Sequence, residues 1–169
     1  IRDLVRAADR GVQVRILIDD MNMLGRDHEM TIFSAHPNIS VRMYNPVRRF
    51  RATAVSRIVM FAFNLKTLQR RMHNKVWIAD NTLAITGGRN IGDRYFNASS
   101  SDNFADLDVL VGGQVVADMQ ASFDQYWQAP EVLPVEAFEK NPAGDVVAIQ
   151  KMIFKTNALT RKERVARHP

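Results

Sequence analysis

Two short runs of strand-forming residues, Lys75 to Asp80 and Thr82 to Thr86, flank the turn residues Asp80-Asn81, and no other feature constrains the fold as tightly. β-branched and aromatic side chains favour extended backbone, and Asp and Asn favour the turn between, so the segment predicts a tight antiparallel hairpin. Side chains two apart on a strand share a face, so His73 and Lys75 are expected to point the same way. Gly87 and Gly88 end the second strand without side chains, which lets backbone approach an anion closely, and the Asn90 amide follows on the same side.

A neutral imidazole in such company can attack phosphorus and split one difficult displacement into two easier ones through a covalent phosphohistidine. Lys75 and Asn90 would then hold the equatorial oxygens, each donor contributing about 3 kcal/mol to transition-state stabilisation. Neither a metal ion nor a cofactor is required, and the sequence offers no evident metal cluster. With no cysteine, thiol chemistry and disulfides are excluded. His28 and His36 lack these neighbours and read as packing histidines.

The pattern H-x-K-x4-D-x6-G-(G/S)-x-N is met by His73, Lys75, Asp80, Gly87, Gly88 and Asn90, and it resembles the signature of the phospholipase D superfamily. The runs Arg89 to Phe96 and Phe104 to Leu110 are similar to the bacterial cardiolipin synthase C type branch, as are Arg6 to Arg15 and His36 to Ile39. The resemblance implies a nucleophilic His73, phosphate contacts from Lys75, Gly87, Gly88 and Asn90, and an Asp80 that braces the site or its partner half. Many members carry serine where Gly88 stands, so a backbone N–H would replace that hydroxyl here. It also implies an acidic residue that orients the imidazole. Asp106 and Asp108 are the candidates; they lie two apart on a predicted strand, and Asp106 is favoured.

The superfamily builds its site from two copies of the motif, one histidine attacking and one protonating the leaving oxygen. Only one copy is present in this sequence. The second is expected either from another part of a longer polypeptide or from a second identical chain across an isologous interface. A start at Ile1, inside an amphipathic helix and without methionine, favours the longer polypeptide.

Elements alternate: helix Ile1 to Arg10, strand Val12 to Ile18, helix Glu29 to Ser34, strand Ile39 to Tyr44, the hairpin, strand Asp108 to Val111 and helix Gln114 to Gln128. The expected class is α/β, a phospholipase D-like layered sheet flanked by helices, forming one half of a pseudo-twofold two-domain fold. Residues 1–128 would be the catalytic half-domain and 129–169 a linker and the start of the following region. Within the last helix, Val115, Val116, Met119, Phe123, Tyr126 and Trp127 are expected to face the core. The prolines and glutamates from Pro130 to Pro142 read as a surface excursion, Val146 to Ala158 as a helix, and Arg161 to Arg164 as solvated charge.

From Arg48 to Arg71 the chain carries seven cations around Ile58 to Phe63, and no carboxylate lies between Glu29 and Asp80. A basic segment with an apolar centre suits either an ordinary solvated helix whose apolar side packs on the sheet or, the reading favoured here, an anionic lipid surface, with Arg48, Arg49, Arg51, Phe61 and Phe63 as the contacts. Nucleic acid is a weaker fit, because base-stacking aromatics would sit more naturally on strands. No apolar run reaches the ~20 residues a spanning helix needs. The expected activity is therefore phosphatidyl transfer between phospholipids, phosphatidylglycerol being the donor, at the periphery of the cytoplasmic membrane. Hydrolysis by a phospholipase D or nuclease, and a catalytically silent lipid-binding half, are the alternatives.

Overall fold

The computed structural model describes residues 2–20, 27–46, 71–96, 99 and 102–138. They form two compact units: Met72–Ala129 is one, and the described residues before and after it form the other.

In the first unit, helix α1 (Arg2–Asp9) ends where Gly11 takes a φ of 94°, a left-handed conformation costly to any residue with a Cβ. The Val12 and Gly11 N–H groups close back on the carbonyls of Ala7 and Ala8, so the helix stops in a Schellman cap. Strand β1 (Val14–Asp19), helix α2 (Asp27–Ser34) and strand β2 (Ile39–Tyr44) form a crossover unit in which β1 and β2 pair in parallel from Val14–Ile39 to Asp19–Tyr44. Alternation along β2 buries Ile39, Val41 and Met43 against Val5 and Ala8 of α1 and Phe33 of α2. Each such side chain contributes roughly 1.5–3 kcal/mol on leaving water.

The excursion expected from Pro130 is instead partly structural. Val132–Pro134 forms strand β6, antiparallel to β2, and Val132 and the following Val135 are buried. Pro134 is tolerated because β6 lies at the edge of the order β1-β2-β6, where a missing N–H leaves no ladder bond unmade. The prolines and glutamates around it mask the short apolar pattern.

The second unit is built on the hairpin. Strands β3 (Val76–Ala79) and β4 (Leu83–Gly87) pair antiparallel, and the turn holds Asp80 and Asn81 at φ 50° and 52°, closed by Thr82 N–H onto Ala79 O at 3.0 Å. Two successive left-handed residues give the type I′ twist that matches the strands. Strand β5 (Asp108–Gly112) pairs with β4, and helix α3 (Gln114–Gln128) follows after Gly113 at φ 80°. Helix α3 packs on the face of the sheet that carries Ala84, burying Val116 and Trp127, with the Phe123 and Trp127 rings stacked at 5.7 Å. Val115, expected in this core, is exposed; it sits about 100° around the helix from Val116, off the buried stripe.

On the other face, Trp77, Ile85 and Leu110 are cross-strand neighbours and are 50%, 44% and 68% exposed. No helix among the described residues is long and apolar enough to cross a membrane. The basic segment with Arg48, Arg49, Arg51, Phe61 and Phe63, and the stretch after Phe138, lie outside the described residues.

Candidate active site

The antiparallel register decides which residues can meet. Val76 at the start of β3 pairs with Thr86 near the end of β4, and Gly87 pairs with Asp108 at the start of β5. The segments just before β3, just after β4 and just before β5 therefore emerge at one end of the sheet. These segments carry His73 and Lys75, Gly88 to Asn90, and Asp106 respectively. Asp80 lies at the opposite end, exposed on the hairpin tip and separated from His73 by the length of β3, roughly 13 Å at the usual strand rise.

Residue pattern alone puts His73 and Lys75 on the strand itself. They precede it, because β3 begins only at Val76, so strand alternation does not set their relation. Lys75 Nζ instead donates to the His73 carbonyl oxygen at 2.8 Å, and Thr86 Oγ1 donates to the Lys75 carbonyl at 2.9 Å, fastening this approach to β4. His73 is exposed. His36 differs: only 12% of its side chain is exposed, Nε2 lies 3.2 Å from Asp9 Oδ1, and Nδ1 accepts from the Asn38 N–H, a structural assignment for this ring.

The space beside the two glycines is filled from within. A Cβ on Gly88 would fall 2.9 Å from Cγ of Asp106, and one on Gly87 would fall 2.8 Å from Asp108 Cα. Both residues are thus glycine because carboxylate-bearing chain passes against them. The Gly88 N–H, expected to stand in for a serine hydroxyl, bonds to the Leu107 carbonyl at 3.4 Å instead, because the strand bearing Asp108 lies alongside.

This geometry separates the two aspartates that spacing could not. Asp108 opens β5 and holds Arg89, its Oδ2 at 2.7 Å from Arg89 Nε. Asp106 precedes the strand, exposed, with Oδ1 accepting the Leu107 N–H at 2.8 Å. The two carboxylates occupy different environments, and only that of Asp108 is committed to a cation.

Asn90 is oriented by a neighbour absent from the motif: Nδ2 donates to the Tyr95 hydroxyl oxygen at 2.7 Å. Tyr95 lies in a single 3-10 turn (Asp93–Tyr95), its ring packed against Phe104 at 5.2 Å. Arg89, at the motif's variable position, donates from Nη1 to the Tyr95 carbonyl at 2.7 Å and from Nη2 to the Asp106 carbonyl at 3.0 Å. Sequence reasoning passes over both residues. The available signal is an acidic residue opening a strand, Asp108, with a nearby arginine at a position the motif leaves free.

A hairpin and third strand that gather a histidine, a lysine, an asparagine and an aspartate at one end of the sheet make a phospholipase D-like domain with one motif copy. Residues 1–127 match the family described as cardiolipin synthase, PLD-like domain, and the chain belongs to that family. It is 41% identical over 143 residues to cardiolipin synthase C of Escherichia coli, covering 85% of this chain and 29% of that protein. An uncharacterised protein of Helicobacter pylori is 36% identical over 157 residues, 90% of this chain and 31% of its own length. Cardiolipin synthase A of Pseudomonas putida is 30% identical over 144 residues, 82% and 27% respectively. The chain thus spans less than a third of the length of these relatives.

Proposed function

We propose that this chain supplies one half of the active site of a phosphatidyltransferase that works through a phosphohistidine. The neutral His73 imidazole attacks the phosphorus of phosphatidylglycerol; the bond to the glycerol oxygen breaks, and glycerol leaves with a proton from the histidine of a second motif. The hydroxyl of a second phospholipid then attacks the phosphohistidine, giving its proton back to that second histidine and releasing His73. Lys75 and Asn90 hold the non-bridging oxygens, Asp106 orients the imidazole, and Asp80 braces the partner half.

The observation that carries this reading is that the segments bearing His73 and Lys75, Asn90, and Asp106 leave the β3-β4-β5 sheet at the same end. The names of the relatives support the choice of a lipid acceptor. The second motif comes from elsewhere in a longer polypeptide or from a partner copy. The basic segment around Arg48, Arg49, Arg51, Phe61 and Phe63 rests on the anionic leaflet, so the enzyme associates peripherally with the membrane.

The full-length parent protein, given vesicles of labelled phosphatidylglycerol, is expected to form cardiolipin and to trap label on His73, and His73→Ala to do neither. Label trapped on another residue of this chain would overturn the mechanism. Release of phosphatidic acid without cardiolipin would assign the phospholipase D hydrolase, and cutting of DNA without lipid turnover would assign the nuclease. Vesicle binding without turnover would mark a silent half.

A further inference from the structure

We propose that Arg89 is a positioning residue, a strut that fixes the Asn90 amide relative to the Asp106 carboxylate. The inference rests on the roles given to those two groups above. Three segments meet on one guanidinium: the turn that ends at Tyr95, the approach to β5 at Asp106, and β5 itself at Asp108. The Phe96 ring lies 5.4 Å from its central carbon.

The Asp108 contact supplies the anchor, because it is made to a residue held in the β5 ladder opposite Gly87. Arg89 Nε is shut off from solvent, and its 2.7 Å approach to Asp108 is a charge contact without a linear hydrogen bond. From that anchor the two terminal nitrogens diverge to carbonyls in separate loops. The Tyr95 end reaches Asn90 through the phenol hydroxyl, and the Asp106 end sets the backbone from which the carboxylate rises against Gly88.

A planar fork with five donors can serve three oxygens in different directions, whereas a lysine presents a single nitrogen. Lysine at position 89 keeps a charge for Asp108 but cannot also serve the Tyr95 and Asp106 carbonyls from its single nitrogen, so both loops are released together.

The test uses the full-length parent on phosphatidylglycerol vesicles, with turnover referred to trapped phosphohistidine so that loss of folded protein is removed. Arg89→Lys is expected to lower kcat per trapped site on the order of ten- to a hundredfold, with KM unchanged within about twofold. Asp108→Asn, which keeps the shape and removes the charge, is expected to act in the same direction and less strongly. Tyr95→Phe is expected to lower kcat alone, and its combination with Arg89→Lys to cost less than the product of the two, because both act on Asn90.

Turnover per trapped site equal to wild type in Arg89→Lys would overturn the strut, as would full multiplicativity with Tyr95→Phe. A wild type that traps no label on His73 would overturn the functional reading instead. In that event amide exchange decides the strut: faster exchange at Tyr95 and Leu107 in Arg89→Lys supports it, and unchanged exchange overturns it.

Discussion

Gly88 matters through what it lacks. Its missing side chain leaves the volume in which the Asp106 carboxylate sits, so Gly88→Ala introduces a methyl 2.9 Å from Asp106 Cγ and forces one of them to move. A displacement of about 1 Å at a catalytic group lowers rate on the order of a hundredfold, so with Asp106 in its proposed role kcat of the parent protein is expected to fall by that order. The melting temperature should move little, since Gly88 lies at the end of the ladder; a large drop in melting with kcat per folded molecule intact would show that the contact is only structural. Asn90→Ala removes the amide proposed to hold phosphate and is expected to lower kcat by about a hundred- to a thousandfold, the usual range for one oxyanion donor, measured by single-turnover label transfer. Serine at position 88 meets the same obstacle as alanine, because its Cβ falls in the same place.

At the level of elements, the hairpin and β2 hold the chain together in different ways. Asn81 sits at φ 52° with no glycine to relax it, and Asn81→Ala is expected to destabilise the hairpin unit by about 1–2 kcal/mol in urea unfolding. Met43 is fully buried in the other unit, and Met43→Ala is expected to remove about 2–5 kcal/mol by the same measurement. Elements with an unbroken period are legible in the amino-acid sequence. Strand Ile39–Tyr44 and helix Gln114–Gln128 keep the limits that their alternation and helical spacing prescribe, and the Asp80-Asn81 turn forms where its chemistry places it. Strand β6 is not legible, because three residues beside prolines carry too little pattern, and only pairing with β2 makes them a strand. Val115 departs from expectation for a finer reason: adjacent apolar residues on a helix cannot both face one surface, and the sequence does not say which does. In the candidate site, the motif spacing singles out His73, Lys75 and Asn90 as a proposal, whereas the contacts of Arg89 and Tyr95 run through backbone carbonyls and a phenol hydroxyl and leave no period to read.

For the whole molecule, the charge distribution leads to an expectation of its own. The chain carries a net charge of +5, and seven cations lie between Arg48 and Arg71 without a carboxylate among them. Replacing Arg48, Arg49 and Arg51 by glutamine in the parent protein is expected to weaken binding to phosphatidylglycerol vesicles several-fold at low salt and much less near 1 M, where the Debye length is only about 3 Å. Equal losses at both salt concentrations in a sedimentation assay would mean that the segment holds the fold together instead of the lipid.

The sheet of the second unit divides its ends between chemistry and turn. The chain leaves the end that carries His73 after Asn90 and returns to it at Asp106, while the strands on either side of that excursion pair with one another. Tyr95 and Phe104 carry that excursion's hold on the Asn90 amide, so a side chain altered at either is felt there, whereas one altered at Ile91, 93% exposed, or at Gly92, with open space beside it, reaches neither the amide nor a strand.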